Sequence, residues 1–506
     1  MTAPRFCRLA LDIQTHDLNE QDKHYKDLRR GFNWLGGATV FAKLIDSATI
    51  LLVLLFLTKE QVGTASLVVS VGAVVESMSA LGTGEALLQA KSVSRLRLDS
   101  LFWFVIGMAS LVAVVVLIAA PWIQLLYGAS GLAVYFIVIA LKQPIVGATL
   151  VPLTMMNRAL QFERIAIVNT CATFAAALTR LGLAVGGTGA WALVIGFAAH
   201  GLYMLIGAQI AKPFVPKLRF RWREVSPLVH FGVRSFTWNL MHQLIRNVDF
   251  MLVGWFYGLS QLAIYRVAFD IAMEPAVAVG AVVNRTAFPV FARIAEAKEH
   301  LRQVFNWSTR RIAVLVSPLM AALILAADPL TALIHDGQGH SYAAAALPLQ
   351  LLAAAALLRV NLQLIDPLLL ATGRPGTAMR LSAATLLLLS VGILVVGLHF
   401  QGRAGVIAVS AVWLAVYPLL LTWSVRYIHR TLEIGIANLA SNFIAPAIGA
   451  AVLIVIVELC RIWVPSDALE LQLGIVVVAT VIAYAGIFRY VRQPIEAISR
   501  SVEGRD

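Results

Sequence analysis

The sequence predicts an all-α polytopic membrane protein of about fourteen transmembrane helices, arranged as two six-helix lobes plus a C-terminal helix pair. Three observations predict this class. Of 506 residues, 59% are hydrophobic and 13% are charged, about half the charged share of a soluble domain. Apolar runs of the ~20 residues needed to cross a bilayer recur along the chain. The cations fall on alternate sides of these runs. This composition excludes an ordinary water-soluble enzyme, a disordered chain and a fibrous one, because a soluble chain of this size could not cover so much apolar surface. A net charge of +13 on a soluble domain would suggest nucleic acid. In a membrane protein it reflects cations gathered in cytoplasmic loops, and no nucleic-acid partner is expected. Cys7, Cys171 and Cys460 are far apart, Cys171 and Cys460 in apolar runs, and they make neither a disulfide framework nor a metal spacing.

Residues 1–28 read as a polar cytoplasmic tail, because Asp12, His16, Asp17, Glu20, Asp22, Lys23 and Lys26 leave no apolar core ahead of a cleavage site. Spans then follow near 34–57, 62–88, 100–120, 131–156, 163–184 and 189–211, an N-lobe over 29–211. A basic cytoplasmic linker occupies 212–225. The C-lobe, 226–430, holds spans near 226–256, 262–291, 309–327, 345–370, 378–399 and 404–425. Two additional spans, near 437–460 and 472–488, fill 431–488, and 489–506 is a cytoplasmic tail. With both ends inside, the cytoplasmic segments carry 29 of the 40 Lys and Arg residues. The outside loops carry only Lys59, Arg403 and Arg461, and the remaining eight fall within spans. One span too many or too few would invert every later loop and destroy this asymmetry. The longest outside loop, around Asp328–Ser341, is too short for a catalytic domain.

A shift of 200 residues lays Leu51–Phe56 over Met251–Phe256 and Gln61 over Gln261. Six spans precede residue 212 and six follow it, so the two units share one orientation. That is a parallel repeat about the membrane normal, a plan that places a binding site at its centre.

Ionisable side chains near midspan are costly and normally face a partner or a wet cavity. Lys43, Asp46, Glu76, Lys142, Arg246, Asp249, Asp270, Glu274 and Arg359 lie there. Arg180 and Arg266 lie nearer outer ends, and Glu85, Arg234, Arg285 and Asp366 nearer inner ends, where snorkelling to head groups is the simpler reading. Lys43 and Asp46, Arg246 and Asp249, Arg266 and Asp270, and Asp270 and Glu274 share helix faces by their spacing, as do Arg359 and Asp366. The opposite-charge pairs can be internal salt bridges or parts of a cavity. Lys142 and Arg359 have no close partner in register and point to a cavity that receives an anion. Asp270 and Glu274, like charges one turn apart, suit a proton or cation held between them, or a structural role with Arg266. Pro144, Pro152, Pro275, Pro318, Pro367, Pro418 and Pro446 interrupt spans. The sequence has no phosphate-binding P-loop, no zinc-site spacing of His and Cys and no H-E-x-x-H, so neither ATP hydrolysis nor a metal centre is expected and no catalytic residue is assigned.

Several stretches resemble one family. They are Arg30–Trp34, Gly82-Thr-Gly84, Arg158–Arg164, Gly186 to Trp191-Ala-Leu-Val, Arg246–Gly254 with Gly258 and Ala263-Ile-Tyr265, and Asn284–Pro289 ahead of Arg293. In order and in phase with the spans over about 29–430, they are similar to the polysaccharide (O-antigen and exopolysaccharide) lipid-carrier flippases, Wzx-like proteins of the multidrug/oligosaccharidyl-lipid/polysaccharide exporter superfamily. The resemblance implies a MATE-like fold. It implies an inner-membrane, non-enzymatic flippase for undecaprenyl-pyrophosphate-linked oligosaccharide, working by alternating access among membrane lipids. It further implies H⁺ or Na⁺ as coupling ion, and a polysaccharide polymerase and chain-length proteins as partners. On that reading Lys142, Arg246 and Arg359, with Lys43, Arg180 and Arg285, are the cavity cations. Asp249, Asp270 and Glu274, with Asp46 and Glu76, are the ion-coupling candidates. The alternatives are a peptidoglycan lipid-precursor flippase, which shares the cationic cavity and the extra helix pair, and a multidrug or cation antiporter, which would favour an acidic one. A membrane-bound sugar-chain polymerase or ligase is the remaining alternative, and it would need a large outside loop.

Overall fold

Helix forms at every one of the fourteen apolar segments. A computed structural model describes residues 41–492 except 296, 433–435 and 466–467; the tail 1–28 and most of 489–506 lie outside it. Ten of the helices are long and apolar enough to cross a membrane. Among the described residues no sheet forms; His335 and Ser341 make one isolated bridge.

In the first unit, α1 is helical over 41–54. It is followed by α2 (Lys59–Ser79), α3 (Thr83–Gln89), α4 (Arg95–Tyr127), α5 (Leu132–Arg158), α6 (Phe162–Val185) and α7 (Ala190–Ala211). The second unit holds α8 (Trp222–Tyr257), α9 (Leu259–Arg293), α10 (Lys298–Leu333), α11 (Ala346–Leu362), α12 (Ile365–Ala371), α13 (Pro375–His399) and α14 (Gly402–Leu432). Two helices close the chain, α15 (Ile436–Arg461) and α16 (Leu469–Arg492). α8 starts at Trp222, inside the stretch that the sequence reads as linker.

Local chemistry sets several of these ends. Thr58 caps α2 in a reciprocal box with Gln61, at 3.0 and 3.3 Å. Ser94 caps α4 by accepting from the Arg97 N–H at 3.1 Å. Two of the predicted spans are broken. The first divides into α2 and α3 where Leu81 and Gly82 take positive φ, 44° and 67°. The other divides into α11 and α12 at Gln363–Leu364. Pro367 follows four residues after Gln363 and cannot bond back to its carbonyl.

The apolar surplus is spent on two surfaces. A central core, with Trp413, Tyr265 and Phe136 fully buried, runs through both units. A lipid-facing belt leaves Ile118, Leu125 and Leu398 exposed. α15 and α16 pack on α10 through a separate apolar cluster that includes Leu325, Leu453, Val457 and Val476.

The two units meet along α2, which packs against α8 and α9. At the face carrying Lys59 they are in backbone contact. The Gly337 N–H donates to the Leu57 carbonyl at 2.9 Å, and Lys59 Nζ donates to the Ser341 carbonyl at 2.9 Å. Gly63 lies so close to the Leu259 carbonyl that no side chain fits. At the opposite face, which carries residues 212–223, Gly82 of the α2–α3 break touches the Gly232 backbone of α8.

Candidate functional site: a cationic cavity between the two units

Between these two contacts lies a cavity of about 780 Å³. It is lined by α2 and α3 from Glu76 to Leu88, by α5 from Val146 to Asn157, by His200 and Gly201 of α7, and by Asn239, His242, Gln243 and Arg246 of α8. It reaches the ends of α3 and α5 at the face carrying the basic linker. The four α8 residues fall at spacings of 3, 1 and 3, one polar stripe on an apolar helix. That stripe was legible in the sequence, and a search for charges alone passes over it.

Arg246 stands at a junction, lining this cavity and two smaller ones. One, of about 80 Å³, holds Arg246, Arg266, Asp270, Glu274 and Arg359. The other, of about 270 Å³, reaches into the second unit past Arg359, Gln363, Asp366, Ser382 and Tyr417. Arg266 and Asp270 also line a pocket of about 160 Å³ on the Lys59 side, with Asp46 and Arg180. The lining residues therefore form a continuous polar line along the axis between the units.

The ion pairs along this line differ from those that helical register suggests. Lys43 pairs with Glu274 on α9 at 2.8 Å, and Asp46 with Arg180 on α6 at 2.9 Å, so the first-helix pair Lys43–Asp46 does not form. Arg246 likewise turns from Asp249 to Glu274, at 3.8 Å. Lys142, which has no partner in register, finds one on another helix: its Nζ lies 2.7 Å from Glu76 and 3.2 Å from the centre of the Phe197 ring. Register defines only a shared helix face; the neighbouring helix decides which charge meets that face. Arg266 and Asp270 do pair within their own helix, at 2.8 Å. The side chain of Arg285 lies outside the described residues.

Asp249 is fully buried and lines none of these cavities. The Tyr265 hydroxyl donates to it at 2.8 Å and accepts from Trp413 Nε1 at 2.8 Å. Its other oxygen has no hydrogen-bond partner among the described residues. Arg359 rests over the Trp413 ring, 5.4 Å from its centre, and Arg266 over Phe250 at 4.4 Å. These rings hold the two guanidinium groups without neutralising them.

In the central cluster Lys43, Arg246, Arg266 and Arg359 surround Asp270 and Glu274, with Asp249 buried within electrostatic reach of Arg266 and Arg359, and Asp366 in the pocket that Arg246 and Arg359 share. Lys142–Glu76 and Arg180–Asp46 are neutral pairs on either side of it. A gathering of cations in a partly dry site favours an anion. Among the described residues no cluster of His, Cys, Asp and Glu could hold a metal ion.

Residues 53–343 match the model of a family described as polysaccharide biosynthesis protein. The chain is 23% identical over 371 residues to the lipopolysaccharide biosynthesis protein WzxC of Escherichia coli (strain K12), covering 73% of this chain and 72% of that protein. It is 26% identical over 318 residues to the teichuronic acid biosynthesis protein TuaB of Bacillus subtilis (strain 168), covering 62% and 65%. Its fold is similar to that of the lipid II flippase MurJ in an inward closed conformation, with a TM-score of 0.70 at 15% identity over 90% of this chain and 99% of that one. It is also similar to an inward-facing multidrug resistance MATE family transporter of the MOP superfamily, with a TM-score of 0.55 at 16% identity over 80% and 95%. The chain belongs to the polysaccharide biosynthesis protein family, built on the two-lobed, polytopic fold of the MOP exporters.

Proposed function

We propose that this protein is a flippase that carries undecaprenyl-pyrophosphate-linked oligosaccharide repeat units across the bacterial inner membrane by alternating access, for surface polysaccharide assembly. The observation that carries this reading is the cluster of Lys43, Arg246, Arg266 and Arg359 at the head of a large cavity between the units. A pyrophosphate diester brings two negative charges, and its sugars need a wet, polar space. The wall offers that space in Asn157, Asn239, His242 and Gln243. The lipid tail stays in the bilayer beside the cavity.

The 29-to-3 distribution of loop cations supports a cytoplasmic location for both termini and the basic linker. On that orientation the cavity faces inward and the Lys59 face is the external seal. The lobes 29–211 and 226–430 are the moving bodies. Arg246 and Arg359 make the first contacts with the head group; Lys43 and Arg266 join when their acids reorient. H⁺ or Na⁺ drives the cycle through Asp270 or Glu274, whose pairings with Lys43, Arg246 and Arg266 a bound ion would exchange. Asp249 serves only if a rearrangement opens its buried site. A polymerase and chain-length proteins act on the product outside. The likeness to MurJ shows the fold, and the family match favours a polysaccharide precursor over a peptidoglycan one.

The test is complementation in the native host with Arg246→Ala and Arg359→Ala. Each is expected to lower surface polymer at least tenfold at an unchanged protein level. Undiminished export from both variants would remove the cavity from the mechanism.

A further inference from the structure

The segment joining the two units has a surface that the transport cycle does not use. Residues 213–221 are irregular rather than helical, with a bend at Leu218. Their backbone is pinned across the first turns of α4. The Lys217 N–H donates to the buried Asp99 at 3.2 Å, the Arg221 N–H donates to Ser100 Oγ at 3.0 Å, and Trp103 Nε1 donates to the Lys217 carbonyl at 2.9 Å. The backbone is thus held in one shape and the side chains project from it.

Those side chains alternate in kind. Lys217, Arg219, Arg221 and Arg223 are all exposed, and none pairs with a carboxylate among the described residues. Between them Leu218 is 87% exposed, and Phe220 and Trp222 are each 53% exposed; Val215, just before, is 77% exposed. The acids nearby are already taken, Glu224 by Arg97 at 3.0 Å and the buried Asp99 by Arg95 at 3.4 Å and the Lys217 N–H. The four exposed apolar side chains are costly in water, and the four cations between them are not neutralised by any carboxylate among the described residues. They suit the boundary between anionic head groups and acyl chains. The segment sits where α7 ends and α4 and α8 begin, which is the depth of that boundary.

We propose that residues 215–223 form a preformed docking strap for anionic phospholipid of the cytoplasmic leaflet, with Phe220 and Trp222 inserted beside the acyl chains and Lys217, Arg219, Arg221 and Arg223 on the lipid phosphates. The choice of leaflet rests on the orientation proposed above; the lipid chemistry does not. Because the strap joins both units, the lipid bound there touches the two bodies whose relative motion the cycle requires.

The test uses the intact purified protein in a neutral detergent, titrated with phosphatidylglycerol or phosphatidylcholine and read by native mass spectrometry. The wild-type protein is expected to bind phosphatidylglycerol at least about tenfold more tightly, since each interfacial cation contributes about fivefold. That preference should weaken in higher salt. The variant K217Q/R219Q/R221Q/R223Q is expected to bring it below about threefold. Leu218→Ser with Phe220→Ser is expected to weaken both lipids while keeping the preference. A quadruple variant with an undiminished preference would overturn the proposal. Displacement of phosphatidylglycerol by inorganic pyrophosphate at constant ionic strength would also overturn it, by making the strap a phosphate site. Arg246→Ala, which disables transport on the reading above, is expected to leave the lipid preference intact, so the two ideas fail separately.

Discussion

Removing Lys142 alone is expected to damage the protein more than removing Lys142 and Glu76 together. Lys142 is 3% exposed, and Glu76, its partner at 2.7 Å, keeps 33% of its side chain open to the cavity. Breaking a fully buried pair costs about 3–5 kcal/mol because one charge is stranded. Water in the cavity screens the stranded Glu76, so roughly half of that cost remains, about 2 kcal/mol for Lys142→Met. Methionine keeps the unbranched stem that packs on Phe197. The double variant K142M/E76Q strands no charge and should lose less than about 1 kcal/mol. Glu76→Gln alone strands the more deeply buried Lys142 and should cost at least as much as Lys142→Met, so the coupling should be about 3 kcal/mol or more, clear of the ~0.5 kcal/mol scatter of independent sites. A double-mutant cycle on SDS-induced unfolding of the purified protein reads it. Additive losses would refute the pair. The same variants test whether Lys142 itself receives the substrate anion, as its isolation in the sequence suggests. A well-folded double variant that still transports assigns Lys142 to the wall, and one that is folded but inactive assigns it to the head group.

Three further outcomes are expected. Arg246→Ala should weaken binding of a pyrophosphate-linked head group about tenfold to a hundredfold, the loss of one charge-assisted contact, and Arg246→Lys should recover only part of it, because the planar fork is gone; binding to reconstituted protein measures both. Asp249→Asn keeps an acceptor for the Tyr265 hydroxyl, so it should leave the protein folded and the dependence of flux on pH and Na⁺ gradients unchanged; a lost dependence would make Asp249 the coupling residue. Lys59→Ala removes a hydrogen bond to Ser341 and a ring contact with Tyr342, so it should raise external labelling of Ser66→Cys in a background without Cys7, Cys171 and Cys460, and equal labelling would show that Lys59 does not seal that face.

The apolar runs made the helices legible because a span in lipid must satisfy its own backbone. The asymmetry of the loop cations supports an even number of spans. The breaks were less legible. Pro367 signalled the α11–α12 break, but Leu81 and Gly82 lie in a run whose composition reads as continuous helix. The central cations could be named from sequence because charges at midspan are rare. Their partners could not, since Lys43 meets Glu274 across 231 residues and Asp46 meets Arg180 across 134. Arg266 read as an end-of-span residue, yet it lies in the central cluster because α9 begins at Leu259 and brings it inward. The histidines and amides of the cavity wall carried a helical period that a search for formal charge does not register.

The central claim is most directly tested by deleting the gene in the native host, then quantifying surface polysaccharide and lipid-linked repeat units on each leaflet. The account predicts lost polymer, with intact repeat units accumulating on the cytoplasmic leaflet and export restored by the wild-type chain but not by Arg246→Ala. Normal polysaccharide with altered drug sensitivity would contradict it and turn attention to the acids Asp270 and Glu274 as a cation site.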